Sequence, residues 1–201
     1  MTEIKHNKKI VICGIDGVVS DSRDRVKKYL YTGFECEKCG VHKYHSELVS
    51  PIIRINKCDE YKGAGIICDG NIVERKKDWT GFYDKVQEDS PIETMVDMVK
   101  NIKMGGYEIV FVTGRNEVCR VNTVEWLKRH FNSTEFDLIM RAPYDRRPSA
   151  QVKKAVVTNM FNPKDIAFVL DDEPSVIDMY RKNCPNATII DVKNYLWGDG
   201  S

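Results

Sequence analysis

The chain carries almost no net charge: 31 Lys and Arg residues stand against 30 Asp and Glu in 201 residues. That balance excludes a protein that grips nucleic acid through a strong overall positive field, while a local basic patch stays open. No run of about 18 apolar residues occurs, so no segment is built to cross a bilayer as a helix. The opening residues, MTEIKHNKK, lack the apolar stretch of a secretory leader, and the expectation is an intracellular, cytoplasmic protein. A G-x-x-x-x-G-K-[ST] loop is also missing, so no ATP-driven kinase half is expected in this chain. There is no internal repeat or low-complexity tract. The length fits one large domain, or one domain with a small insertion, and a second catalytic domain is not expected. Seven cysteines without a leader read as reduced thiols or metal ligands rather than a disulfide framework.

What is present alternates. Apolar runs at Ile10 to Cys13, Tyr107 to Val112, Phe136 to Met140, Asp165 to Leu170 and Ala187 to Val192 are spaced by segments of helical period. These helices are expected at Pro91 to Met104, Val121 to Phe131, about Ala150 to Met160 and Ile177 to Lys182. Such alternation predicts an α/β fold, a doubly wound parallel sheet with helices on its faces. Gly105-Gly106 should end the first of these helices.

Open parallel sheets bind ligands at the carboxyl ends of their strands. The residues there are Asp16 after the first strand and Thr113-Gly114-Arg115 after the second. Arg141, Asp145 and Arg146 follow the third strand, and Asp171-Asp172 the fourth, with Lys153 near the start of the intervening helix. A phosphoryl group in transfer spreads negative charge over its oxygens and needs cations and neutral donors around it. Asp16 and Asp171 offer hard oxygen ligands suited to magnesium, and Lys153 and Thr113 offer charge and a hydrogen bond. Asp16 could also exchange a proton with the leaving oxygen and with water. Taken singly, each has a plainer reading. Asp171-Asp172 could be an ordinary turn, Lys153 a solvated helix residue, and Arg115 and Arg141 surface salt-bridge partners worth about 0 to 1 kcal/mol.

Taken together, IVICGIDGVVSD, IVFVTGR, the Lys153 region and FVLDDEPSVIDMYR resemble the four ordered motifs of the haloacid-dehalogenase-like (HAD) phosphatases. More narrowly, GYEIVFVTGR, LIMRAPYDRRPSAQVKK and IAFVLDDEPSVIDMYRK resemble the 3'-phosphatase domain of phage-type polynucleotide kinase and its stand-alone relatives. DWTGFYDKVQEDSPI and the stretch from Asp21 to Arg25 share that likeness. The resemblance implies a magnesium-dependent phosphomonoesterase acting on a nucleotide or on the 3'-phosphate of a nucleic acid through an aspartyl-phosphate. It makes Asp16 the general acid/base and a metal ligand through its carbonyl, Thr113 the phosphate donor and Lys153 the charge stabiliser. Asp171 becomes the magnesium ligand with Asp172 supporting it, and Gly114, Arg115, Arg141 and Arg25 fall on the substrate side. The departure is at position 14, where the family places its nucleophilic aspartate and this chain has Gly14. Glycine cannot attack phosphorus, so the expectation is a framework that turns over very slowly or not at all. An inactivating replacement in an otherwise complete site is one account; a non-catalytic relative is the other.

Between the first strand and the next core helix lies a cysteine-rich stretch, so the expected division is a core of residues 1–31 and 76–201 with 32–75 inserted. Cys36, Cys39, Cys58 and Cys68 could supply four thiolates to a structural zinc, with His42 or His45 able to replace one. Unliganded, reduced cysteines are the competing reading. Metal closure would supply on the order of 10 kcal/mol to a piece otherwise too short to fold unaided. In the family resembled, an insertion here forms a cap that could exclude water and select substrate. Lys57, Lys62, Arg75, Lys76 and Lys77 could then meet a phosphate backbone, and Trp79, Phe82 and Tyr83 a base, or serve as a solvated face and a core. The second class of function left open is a catalytically silent, zinc-containing module that binds phosphorylated nucleotides or nucleic-acid ends.

Overall fold

The computed structural model describes residues 9–30, 33–36, 42–44 and 72–192, with backbone alone for 33–36, 42–44 and 72–75. In chain order the elements are β1 (Ile10–Cys13), β2 (Ser20–Asp21), α1 (Arg23–Tyr29), β3 (Gly33–Cys36), β4 (His42–Tyr44), β5 (Ile72–Arg75), α2 (Trp79–Asp84) and β6 (Ser90–Pro91). There follow α3 (Glu93–Met104), β7 (Glu108–Asn116), α4 (Arg120–Phe131), β8 (Asp137–Arg141), α5 (Ser149–Met160), β9 (Ile166–Asp171), α6 (Pro174–Asn183) and β10 (Thr188–Asp191). They divide into two units, one of Met1–Asp24 with Tyr83–Ser201 and one of Arg25–Phe82.

The first unit is built on a parallel sheet in the order β10-β9-β1-β7-β8. Its central strand, β1, is buried at every position, which is why it reads as an unbroken apolar run rather than an alternation. Val11 and Cys13 face one layer with Phe111, Val96 and Val99 of α3, and Trp126 and Leu127 of α4. Ile10 and Ile12 face the other with Val157 of α5 and Val176, Met179 and Tyr180 of α6. Helices therefore cover both faces of the sheet, as the alternation predicts.

The sequence boundaries hold within a few residues, and the departures have local causes. The helix expected from Ile177 starts at Pro174, because proline's missing N–H costs nothing in a first turn. β7 runs past Val112 to Asn116, where it has broken step with β8. Helix α3 does end at the glycine pair, Gly106 taking φ 91.

The second unit contains a three-stranded antiparallel sheet, β4-β3-β5, with Gly33 opposite both Tyr44 and Arg75. Its ends reach beyond the expected 32–75, since most of α1 and α2 belongs to it. Within it, Arg25 is buried, its guanidinium 4.0 Å above the Phe82 ring centroid and its Nη1 donating to the Phe82 carbonyl at 3.0 Å. Of the candidate zinc ligands, Cys39, Cys58, Cys68 and His45 lie outside the described residues. Cys36 ends β3 and His42 opens β4, and only their backbone is described. Among the described residues no helix is long and apolar enough to cross a membrane.

Candidate active site

The candidate site lies in the first unit, at the carboxyl edge of its sheet. After β1, the Gly14 N–H donates to the Leu170 carbonyl at 2.8 Å, keeping the chain on the sheet for one more residue. It then turns tightly: the amides of Val18, Val19 and Ser20 all donate to the Ile15 carbonyl. Gly17 sits at φ 76, a conformation that suits glycine and explains the D-G pair. The turn presents Asp16 toward β7.

Asp16 meets Arg115. Nε donates to one carboxylate oxygen at 3.0 Å and Nη2 to the other at 2.7 Å, a two-pronged pair. The same Nη2 reaches Ser20 Oγ at 3.0 Å and Asp89 Oδ2 at 2.8 Å, and Ser20 Oγ donates to Asp89 Oδ2 at 2.8 Å. Trp126 Nε1 donates to the Asp89 carbonyl at 2.8 Å, tying this acid to α4. Burial works against a charged guanidinium here, but Asp16 and then Asp89 outweigh it and hold the Arg115 pKa above its ordinary value. Its Nη1 is buried without a partner among the described residues.

A second ion pair lies beside the first strand's end. Lys153 on α5 donates to Asp171 Oδ2 at 2.7 Å, with 8 % and 1 % of the two side chains exposed. The other Asp171 oxygen accepts the amides of Asp172 and Glu173 at 3.1 and 3.3 Å. Burial lowers the Lys153 pKa, but the Asp171 charge more than reverses this. Asp172 Oδ2 is buried and has no hydrogen-bond partner among the described residues, and burial, followed by the charge of Asp171, pushes its carboxyl up to about 7 against the pull of Lys153. Thr113 is buried, its Oγ1 accepting the Arg115 amide at 3.1 Å while its own proton remains to be donated.

The donors fit a hard cation with few protein ligands. The orphaned oxygen of Asp172, crowded by the neighbouring charges of Asp171 and Asp16, is what a magnesium ion would satisfy. Position 14 contributes no carboxylate, and among the described residues no three His, Cys, Asp or Glu side chains form a metal-holding group. A Cβ at position 14 would lie 2.9 Å from Val18 Cγ2 and 3.4 Å from Asp171 Oδ2. The Val18 methyl therefore crowds the space a nucleophilic side chain would need.

The structure thus brings Asp16, Thr113, Arg115, Lys153, Asp171 and Asp172 to one edge. Two candidates sit differently from the sequence expectation. The Arg115 side chain is wholly buried, so the surface ion-pair reading fails, and its prongs hold Asp16. Arg141 spends its donors on structure rather than leaving them free: Nε on the Gly114 carbonyl of β7, Nη1 on the Asp145 and Arg147 carbonyls of the following loop, and Nη2 on Ser149 Oγ at the start of α5. Arg25 belongs to the other unit. Sequence reasoning missed Asp89 and Ser20. No local pattern marks them: the short antiparallel pairing of β2 with β6, Ser20 opposite Pro91, brings Asp89 beside the loop that carries Asp16.

Such a sheet, with an acid after its first strand, a hydroxyl in the last residues of the next, a lysine on a covering helix and a terminal acid pair, defines a phosphoryl-transfer framework of the HAD type. The chain belongs to that superfamily's polynucleotide kinase PNKP phosphatase domain family, which it matches over residues 63–194. A protein of Autographa californica nuclear polyhedrosis virus with the provisional name bifunctional polynucleotide kinase/RNA ligase is 24% identical over 140 residues. That match covers 64% of this chain and 20% of the viral protein. A chain in the Pnkp1/Rnl/Hen1 RNA repair complex superposes with a TM-score of 0.53 at 18% identity, covering 96% of this chain and 44% of that one. A second structure of the Pnkp1/Rnl/Hen1 complex gives 0.53 at 18% identity over 94% of this chain and 47% of that one. The chain spans less than half the length of each of these relatives. The family establishes a phosphatase-type framework for this chain.

Proposed function

We propose that the chain is a magnesium-dependent phosphatase framework that holds a phosphorylated nucleotide or the 3'-phosphate end of a nucleic acid, and that Gly14 leaves it close to inert. The observation that carries this reading is the pairing of Asp16 with Arg115 beside the buried Lys153 and Asp171 pair. In this reading Lys153 and the Thr113 hydroxyl face the phosphate oxygens, where a buried cation and a preorganised donor act without solvent screening. Asp16, with both oxygens held by Arg115, is oriented to accept a proton from water. Asp171, Asp172 and the Asp16 carbonyl would hold magnesium, which supplies further neutralisation of phosphate charge. Without a carboxylate at position 14 no aspartyl-phosphate forms, and removing a nucleophile in another covalent enzyme costs about a millionfold in rate.

The inserted unit serves as a cap in this proposal, with a zinc held by Cys36, Cys39, Cys58 and Cys68 as its staple. The relatives' names, a polynucleotide kinase/RNA ligase and a chain of an RNA repair complex, support a nucleic acid as substrate. Gly14 itself favours a second reading, a silent module that binds phosphorylated ends. Phosphate release separates the two. Nucleoside monophosphates and 3'- and 5'-phosphorylated oligonucleotides should be assayed with and without magnesium, using the native chain and a Gly14→Asp, Val18→Ala variant. Turnover gained on one substrate class supports the phosphatase framework; none on any of them, in a folded variant, leaves the binding module.

A further inference from the structure

The loop between β8 and α5, residues 142–148, sits against the site and is held from within. Besides the two bonds from Arg141 Nη1 to its Asp145 and Arg147 carbonyls, Asn116 Nδ2 donates to the Pro143 carbonyl at 3.1 Å, and Asp145 accepts from the Arg147 amide at 3.0 Å and pairs with its guanidinium. Arg141 also grips the Gly114 carbonyl at 3.2 Å, so the loop is fastened to the segment that carries Thr113 and Arg115. Two side chains are left out of this network. Tyr144 is 92% exposed, the most exposed of the large hydrophobic side chains among the described residues, and Arg146 is exposed with no acidic partner among them.

An aromatic ring held in water on a rigid loop has lost backbone freedom without gaining burial, and an exposed guanidinium stands two residues further on. A ring of this kind offers a face to any nucleobase, and such an arginine suits a phosphodiester. We propose that Tyr144 and Arg146 form a platform for single-stranded nucleic acid, Tyr144 stacking a base and Arg146 meeting the adjoining backbone phosphate. The site then selects the end of a strand over a mononucleotide. This rests on the phosphate-holding reading above, and the charge is complementary, since Lys154 is exposed nearby on α5.

The test is binding to the 201-residue chain by fluorescence anisotropy. Labelled hexanucleotides of DNA and RNA, with and without a terminal phosphate, are compared with the matching mononucleotides and with a hexamer whose bases are removed. The expectation is that hexamers bind more tightly than mononucleotides. Tyr144→Ala should weaken the base-bearing hexamer about 5- to 150-fold, the range of one aromatic stack, while leaving the abasic one unchanged. Tyr144→Trp should keep the affinity. Arg146→Gln should lower the slope of log affinity against log salt by about 0.7, one phosphate contact on a single strand. Both positions are exposed, so these variants fold. Equal affinity for hexamer and mononucleotide, or a Tyr144→Ala chain that binds the hexamer as before, overturns the platform. Hexamer binding that depends on Tyr144 but not on the terminal phosphate or on Lys153 supports the platform and rejects the phosphate-holding reading instead.

Discussion

Restoring an aspartate at position 14 should create activity and instability together. The new Cβ would lie 2.9 Å from Val18 Cγ2, closer than such carbons come in folded proteins, and Val18 is fully buried. Overpacking of this kind costs about 1 to 3 kcal/mol. The new carboxylate would also stand beside Asp171, whose Oδ2 is 3.4 Å from the Cβ position and is paired with Lys153 at 2.7 Å. Two like charges about 4 Å apart repel by about 4 kcal/mol at an effective dielectric of 20. At roughly 2 to 4 °C per kcal/mol for a domain of this size, Gly14→Asp should lower Tm by about 10 to 30 °C in EDTA. Magnesium should return most of the electrostatic part, and adding Val18→Ala should relieve the steric part. Thermal unfolding with EDTA or magnesium, run beside phosphate release, reads both effects. A rate gain of at least about a thousandfold in magnesium is expected, part of the millionfold that a nucleophile is worth elsewhere. The reasoning is refuted if Gly14→Asp leaves Tm unchanged in EDTA, since Asp171 and Val18 would then not border position 14 as the structure has them.

Other expectations come from the buried groups. Arg115→Ala leaves Asp16 and Asp89 without their shared partner and should cost about 3 to 5 kcal/mol, read as a shift in the urea midpoint; Arg115→Lys should recover only part, since an ammonium cannot grip both Asp16 oxygens at once. Burial holds the Cys184 thiol up at about 11 and raises Cys13 further, while an unfolded cysteine ionises near 9. The unfolded chain therefore loses its protons first, and stability should fall as pH climbs from about 9 toward 11; Cys184→Ala should flatten part of that decline in urea titrations at pH 8.5 and 10.5. Elemental analysis of the purified chain should find one zinc, lost on replacing Cys36 and Cys39 together by serine; no zinc with every cysteine titratable would remove the staple.

Much of the architecture was legible because burial on both faces leaves a mark on composition. Ile10–Cys13 is apolar throughout since helices cover each side of β1, and the 3.6-residue period of Val96 and Val99 places α3 without any tertiary knowledge. Asp16, Thr113, Lys153 and Asp171 were legible for a related reason: in a parallel sheet, chemistry gathers where strands end, and strand ends can be read from the apolar runs. The start of α6 at Pro174 was less visible, because its first turn carries no apolar period.

What the sequence determined by itself is the set of groups and the missing one: an acid, a hydroxyl and an acid pair at strand ends, a lysine near the start of a helix, and glycine at position 14. Only the tertiary structure decided how those groups are held. Ser20 and Asp89 lie far apart along the chain and carry no periodic signal, yet the β2–β6 pairing puts both on one Arg115 nitrogen. Arg115 and Arg141 look alike in sequence, each following a strand, but one is sealed against Asp16 and the other is spent on a loop. Local pattern is set by neighbours along the chain and by burial, whereas the partner of a charged side chain is fixed by which distant segment packs beside it. For the same reason Gly14 reads in sequence as one absent carboxylate, while in the fold it is a space already crowded by Val18.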